Sequence, residues 1–144
     1  MSHEILRYSA FTAEGRGGNP AGVVLDARGM DDAAMQAVAA GLGYSETAFL
    51  LPRDDAALDV RYFSPVAEVS FCGHATIAAS IAHGERHGPG ERLLHTPAGL
   101  VRVMVEKEAD GFSATFASAV RPGSGRARLV PAASPAARRW RTWR

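Results

Sequence analysis

Apolar and polar positions alternate with period two over several short stretches of this chain, and two longer stretches break that rhythm in favour of helices. Residues 4–11 (Glu-Ile-Leu-Arg-Tyr-Ser-Ala-Phe) mix β-branched, aromatic and polar side chains as a short strand does. A compact apolar run at Ala21–Leu25 predicts a second strand, after a glycine-rich turn at Gly15-Arg16-Gly17-Gly18-Asn19-Pro20. Thr47–Leu51 and Leu58–Phe63 predict two more, separated by the turn Pro52-Arg53-Asp54-Asp55. Leu93–Thr96 and Leu100–Glu106 read as a hairpin across Pro97-Ala98-Gly99. In Phe112–Ala117 the residues Phe112, Ala114 and Phe116 alternate with Ser113 and Thr115, which predicts a last strand.

The first helix opens with Asp31 or Asp32 as its cap and places Met35, Val38 and Ala39 on one face, with Gly41 or Gly43 as its stop. The second, His74–Ala82, carries Ala, Ile and small polar residues on every side. A helix without a polar face lies at the centre of its domain, and Gly84 is placed to end it. The pattern therefore predicts an α+β domain, rich in strands and wrapped around one buried helix.

Composition narrows the class. At 144 residues, 47% hydrophobic and 22% charged, the chain has the size and balance of one soluble globular domain. It holds no apolar run of membrane-spanning length. Its start, Met1-Ser2-His3-Glu4, lacks the layout of a signal peptide, and the single cysteine fits a reducing compartment, so a cytoplasmic protein is expected. The formal charge of +1 conceals an uneven distribution. Residues 1–120 hold 9 Lys and Arg against 15 Asp and Glu, whereas residues 121–144 hold seven Arg and no acid. That tail is Pro, Gly, Ser, Ala and Arg without periodicity, and we expect it to lack packed structure. An arginine-rich end with two Trp but no folded platform is weak support for nucleic-acid binding.

Chemistry concentrates at Phe71-Cys72-Gly73-His74-Ala75-Thr76, where a strand-like segment ends and the apolar helix opens. Unpaired backbone N–H groups at such a start form a seat for a carboxylate, and Gly73 lets an anion approach closely. His74 is a candidate proton donor or hydrogen-bond partner there, or simply a helix-start residue bonded to a carbonyl. Cys72 is either an acid/base thiol favoured by the helix N-terminus or a buried and inert side chain. Glu46 is the one acid in the uncharged run 44–50; partial burial there fits it for proton transfer, and a solvated strand-edge position is the alternative. Asn19 and Ser45 complete the candidates. His83 and His87 are four apart, but the nearby Gly84, Gly88 and Pro89 argue against a regular helix through them, and no third ligand is suggested, so no metal is expected.

Gly18-Asn19-Pro20-Ala21-Gly22-Val23-Val24-Leu25, Met35-Gln36, Ser45-Glu46-Thr47-Ala48-Phe49, Tyr62-Phe63-Ser64-Pro65 with Glu68, and Cys72-Gly73-His74-Ala75-Thr76 occur in one order. Together they resemble the PhzF-like phenazine-biosynthesis family, within the diaminopimelate epimerase-like fold, over residues 5–120. The resemblance implies a lobe made of a curved, mostly antiparallel sheet around a central helix. It also implies that two such lobes enclose the active site, of which this chain matches the first. On the same ground Glu46 is the acid/base residue, Gly73 and His74 hold the substrate, and Asn19 and Ser45 line the cleft. The reaction implied is a proton shift on a small carboxylate-bearing substrate, without a cofactor.

The second lobe has no counterpart here, and the arginine-rich tail begins where the linker to it is expected. Its composition is similar to out-of-frame translation of a GC-rich gene, or to a degenerate end. Three readings therefore stand: a PhzF-like isomerase, complete or impaired; a two-base racemase or epimerase using Cys72; and a non-catalytic half-enzyme or binding module. A lobe without its partner exposes apolar surface, so self-association, as a homodimer for instance, is expected.

Overall fold

A computed structural model describes residues 3–10, 19–53, 57–109, 111–118 and 139–140. Its strands are β1 (Ile5–Ala10), β2 (Asn19–Val24), β3 (Glu46–Pro52), β4 (Leu58–Phe63), β5 (Glu68–Val69), β6 (Gly90–Thr96), β7 (Gly99–Glu108), β8 (Gly111–Ser118) and β9 (Arg139–Trp140). Two helices, α1 (Asp32–Leu42) and α2 (Gly73–His87), complete it. The sheet order is β8-β7-β6-β4-β3-β2-β1-β9, with β5 added on β4. Among the described residues β2·β3 and β4·β6 run parallel and the other pairings antiparallel. The expected α+β class and mostly antiparallel sheet are what the chain forms.

Helix α2 packs against β1, β2 and β3 and also against β7 and β8, strands from opposite ends of the sheet order. A sheet that touches one helix from both ends curves around it. Strand parity sorts the side chains between two cores. Leu6 and Tyr8 of β1, Ala21 and Val23 of β2, Ala48 and Leu50 of β3, and Val60 and Tyr62 of β4 point inward with Ile77, Ala78 and Ile81 of α2. Their neighbours Ile5, Val24, Phe49 and Phe63 point outward and form a smaller core with Met35 and Ala39 of α1.

Helix α1 is closed at each end by one of the two candidates its sequence offers. Asp31 accepts from the Ala34 N–H, and Gly43 ends the helix in the left-handed region at φ 70°. Helix α2 departs from the expectation. Gly84 does not end it; the helix continues to His87 and is closed by Gly88. Gly84 is buried where a Cβ would stand 2.6 Å from Val105 Cγ1 of β7, so it serves close packing rather than termination. His83 and His87 consequently lie on one regular helix, contrary to expectation, with their rings 4.3 Å apart.

The hairpin turn is Pro97-Ala98, with Gly99 already paired to Thr96 in β7. The turn expected at residues 15–18 lies outside the described residues, as does most of the tail. Within the tail, Arg139 and Trp140 pair antiparallel with Leu6 and Ile5, a short strand that the absence of periodicity did not suggest. Among the described residues, no helix is long and apolar enough to cross a membrane.

Candidate active site

The parity that sends Ala48 and Leu50 of β3 inward also sends Glu46, the first residue of the strand, to the face that carries α2. Tyr62 pairs with Ala48 across β3·β4, and its hydroxyl reaches Thr76 in the first turn of α2 at 2.6 Å. Thr76 donates to the Cys72 carbonyl at 2.8 Å, so the Tyr62 O–H is the donor to Thr76. This buried chain pins the start of α2 above the N-terminal end of β3. Phe71 supports it from outside, edge-on to both Tyr62 and Phe116.

Cys72, the N-cap of α2, and His74, in its first turn, thereby meet Glu46. His74 Nε2 lies 3.3 Å from Glu46 Oε2. The Cys72 sulfur is 3.2 Å from His74 Nδ1 and 3.8 Å from Nε2. One ligating or proton-carrying atom of each side chain falls within 4.8 Å of the others. His74 and Glu46 retain side-chain exposures of 14% and 22%, so the cluster is sheltered yet reachable from outside. With Nε2–H donated to Glu46, the imidazole orients the carboxylate and leaves Nδ1 to accept from the thiol.

Burial pushes the Cys72 thiol up to about 11, against the partial help of the Ala75 and His74 N–H groups. The negative charge of the Glu46 carboxylate close to the thiol adds to the rise. The N–H groups at the helix start thus work against burial at this thiol without overcoming it.

Gly73 opens α2, and a Cβ there would meet only the Phe116 ring at an ordinary 3.5 Å. Ser45 is exposed at the bend immediately before Glu46. Asn19 heads β2, its backbone opposite Ala10, two positions before Ala21, which is the parallel neighbour of Glu46. Sequence reasoning missed Tyr62 and Thr76. Their signal was present: an inward-facing tyrosine in a buried strand and a threonine in an otherwise alanine-rich helix turn.

The model of a phenazine biosynthesis-like protein family, PhzC-PhzF, matches residues 8–127. The "Uncharacterized isomerase YddE" of Escherichia coli O157:H7 is 43% identical over 114 residues, covering 78% of this chain and 38% of that protein. Among solved structures, a PhzF-family phenazine biosynthesis protein from Bacillus anthracis is similar at TM-score 0.69 and 33% identity, over 81% of this chain and 40% of that one. A predicted epimerase from Pseudomonas aeruginosa is similar at TM-score 0.72 and 33% identity, over 80% of this chain and 42% of that one. The chain thus spans about two fifths of the length of these relatives. With the family model spanning both the sheet that carries Glu46 and the helix that carries Cys72 and His74, this chain belongs to the PhzC-PhzF phenazine biosynthesis-like family.

Proposed function

We propose that this lobe supplies one half of the active site of a PhzF-like isomerase, acting by cofactor-independent proton transfer on a small carboxylate-bearing biosynthetic substrate. The observation that carries the reading is the placement of Glu46 against His74 at the start of α2. The substrate carboxylate sits on the N–H groups that begin the helix. Gly73 leaves room for it, and packing alone does not demand a glycine there. Glu46 takes a proton from one carbon of a conjugated system and, now a carboxylic acid, returns it at another. Atoms and charge balance without an oxidant or a metal. His74 holds the carboxylate in position, and Asn19 and Ser45 border the cleft.

Cys72 is not the base in this reading, because a thiol pushed up to about 11 is protonated near neutral pH. The two-base racemase alternative requires the opposite. Incorporation of solvent deuterium separates them, with dihydro-hydroxyanthranilate and a panel of small amino and hydroxy acids as substrates. Exchange lost in Glu46→Gln and kept in Cys72→Ser supports the isomerase. Exchange lost only in Cys72→Ser supports the racemase, and none in the unaltered chain leaves the non-catalytic half-enzyme.

The reading includes self-association. Val66 is 87% exposed, and Leu100 and Met104 add further exposed apolar surface. Sedimentation at tens of micromolar, roughly where weak patches associate, gives a dimer or larger species if this holds and a monomer if it does not.

A further inference from the structure

We propose that Glu46, Cys72 and His74 form a binding site for a single thiophilic divalent cation, with zinc as the type. The set is a carboxylate oxygen, a sulfur and an imidazole nitrogen, the three donor kinds that zinc accepts. They come from two rigid elements, the start of β3 and the first turn of α2. With zinc bonds of about 2.3 Å to sulfur and about 2.0–2.1 Å to nitrogen and oxygen, the edges of a tetrahedral site measure about 3.3–3.6 Å. His74 Nε2 stands 3.3 Å from Glu46 Oε2 and 3.8 Å from the Cys72 sulfur, close to those edges before any rearrangement.

Charge fits as well. A carboxylate and a thiolate around a neutral imidazole offset the two positive charges of the ion, whose binding releases the thiol proton. The ligand-bearing turn is itself held by the Tyr62–Thr76–Cys72 carbonyl chain, the outer support that fixes ligand direction. Three protein ligands in a partly exposed cluster leave the fourth corner to water or to an incoming carboxylate. The other imidazole pair, His83 and His87, lacks this completion: Arg92 donates to His83 Nδ1 at 3.1 Å, and no acid or thiol joins the pair in a three-donor group among the described residues.

The consequence for catalysis rests on the function proposed above: a cation on Glu46 occupies the lone pair that must take the substrate proton, so zinc inhibits. Binding itself is independent of that reading. The experiment titrates the full chain with cobalt chloride, watching the thiolate-to-cobalt charge-transfer band and the visible bands of tetrahedral cobalt, then displaces the cobalt with zinc. One equivalent is expected, with both bands present. Cys72→Ser should remove the charge-transfer band, and His74→Gln and Glu46→Gln should each weaken affinity more than about tenfold. His83→Gln should leave the titration unchanged. Circular dichroism of each variant checks folding, and zinc protection of Cys72 from alkylation gives a second readout in the unaltered chain. A charge-transfer band that persists in Cys72→Ser, an affinity indifferent to His74→Gln and Glu46→Gln, or no protection of Cys72 would each overturn the site. If zinc binds but deuterium exchange continues, the cation site stands and the role of Glu46 in proton transfer falls.

Discussion

Removing the Tyr62 hydroxyl tests how the start of α2 is held. Tyr62 and Thr76 are both fully buried, and their 2.6 Å hydrogen bond is the outer link of the chain that ends on the Cys72 carbonyl. Tyr62→Phe deletes one buried neutral hydrogen bond, yet Thr76 keeps the bond it donates, so the loss should be about 1 kcal/mol. Thr76→Val is nearly isosteric but strands the Tyr62 hydroxyl in an apolar core, which should cost about 2 kcal/mol. In the double variant no hydroxyl is stranded. Its loss should therefore fall short of the sum of the single losses by about 1 kcal/mol. Urea unfolding at constant m-value reads these differences, and each 1 kcal/mol should move Tm by about 3–5 °C in a chain of this size. Strict additivity, or a larger loss for Tyr62→Phe than for Thr76→Val, would refute the hydrogen-bond chain.

The remaining expectations follow from single contacts. Gly84→Ala gains about 1 kcal/mol of helix propensity but forces its Cβ against Val105, at a cost of about 1–3 kcal/mol; net destabilisation in urea is expected, and stabilisation would contradict the packing. Burial, with His87 and Arg92 nearby, pushes His83 down to about 4 from 6.5. The unfolded chain therefore takes up this proton first as pH falls, and the stability present above pH 6.5 is lost progressively toward pH 4. Because His83 is only partly buried, the loss should be about 1–2 kcal/mol, and it should shrink in His83→Gln; an unchanged acid limb would refute the assignment. For Cys72, held up to about 11, alkylation by iodoacetamide should stay slow at pH 7–8 and accelerate only well above the ordinary thiol range. Rapid labelling near neutrality would show an activated thiol instead.

What the sequence disclosed and withheld divides along local and non-local physics. The bounds Leu58–Phe63 of β4 are a consequence of neighbouring residues and were legible, and the α1 cap and stop were narrowed to two candidates each, of which Asp31 and Gly43 are the ones used. Helix α2 was legible in its burial but not in its length, because the reason for Gly84 lies in Val105, twenty-one residues away on another element. The same holds for the thiol. An adjacent helix N-terminus was visible in the sequence, whereas burial and the Glu46 carboxylate, which outweigh it, come from the fold. Glu46, Gly73 and His74 were candidates on their local sequence, and the motif resemblance added the roles expected of them; the meeting of Glu46 with His74 required the inward parity of β3 and the Tyr62–Thr76 tie. The position of Asn19 in β2 is now known from its backbone, and the glycine-rich turn before it lies outside the described residues.

The central claim is that substrate binds at the start of α2, beside Glu46. Titration of the isotopically labelled chain with anthranilate, a small aromatic carboxylate, followed residue by residue in amide NMR spectra, tests this most directly. Saturable shifts are expected at the Gly73, His74 and Ala75 amides, accompanied by Glu46, with benzamide, which lacks the charge, producing none of them. Shifts that gather elsewhere on the lobe, or equal responses to anthranilate and benzamide, would contradict it.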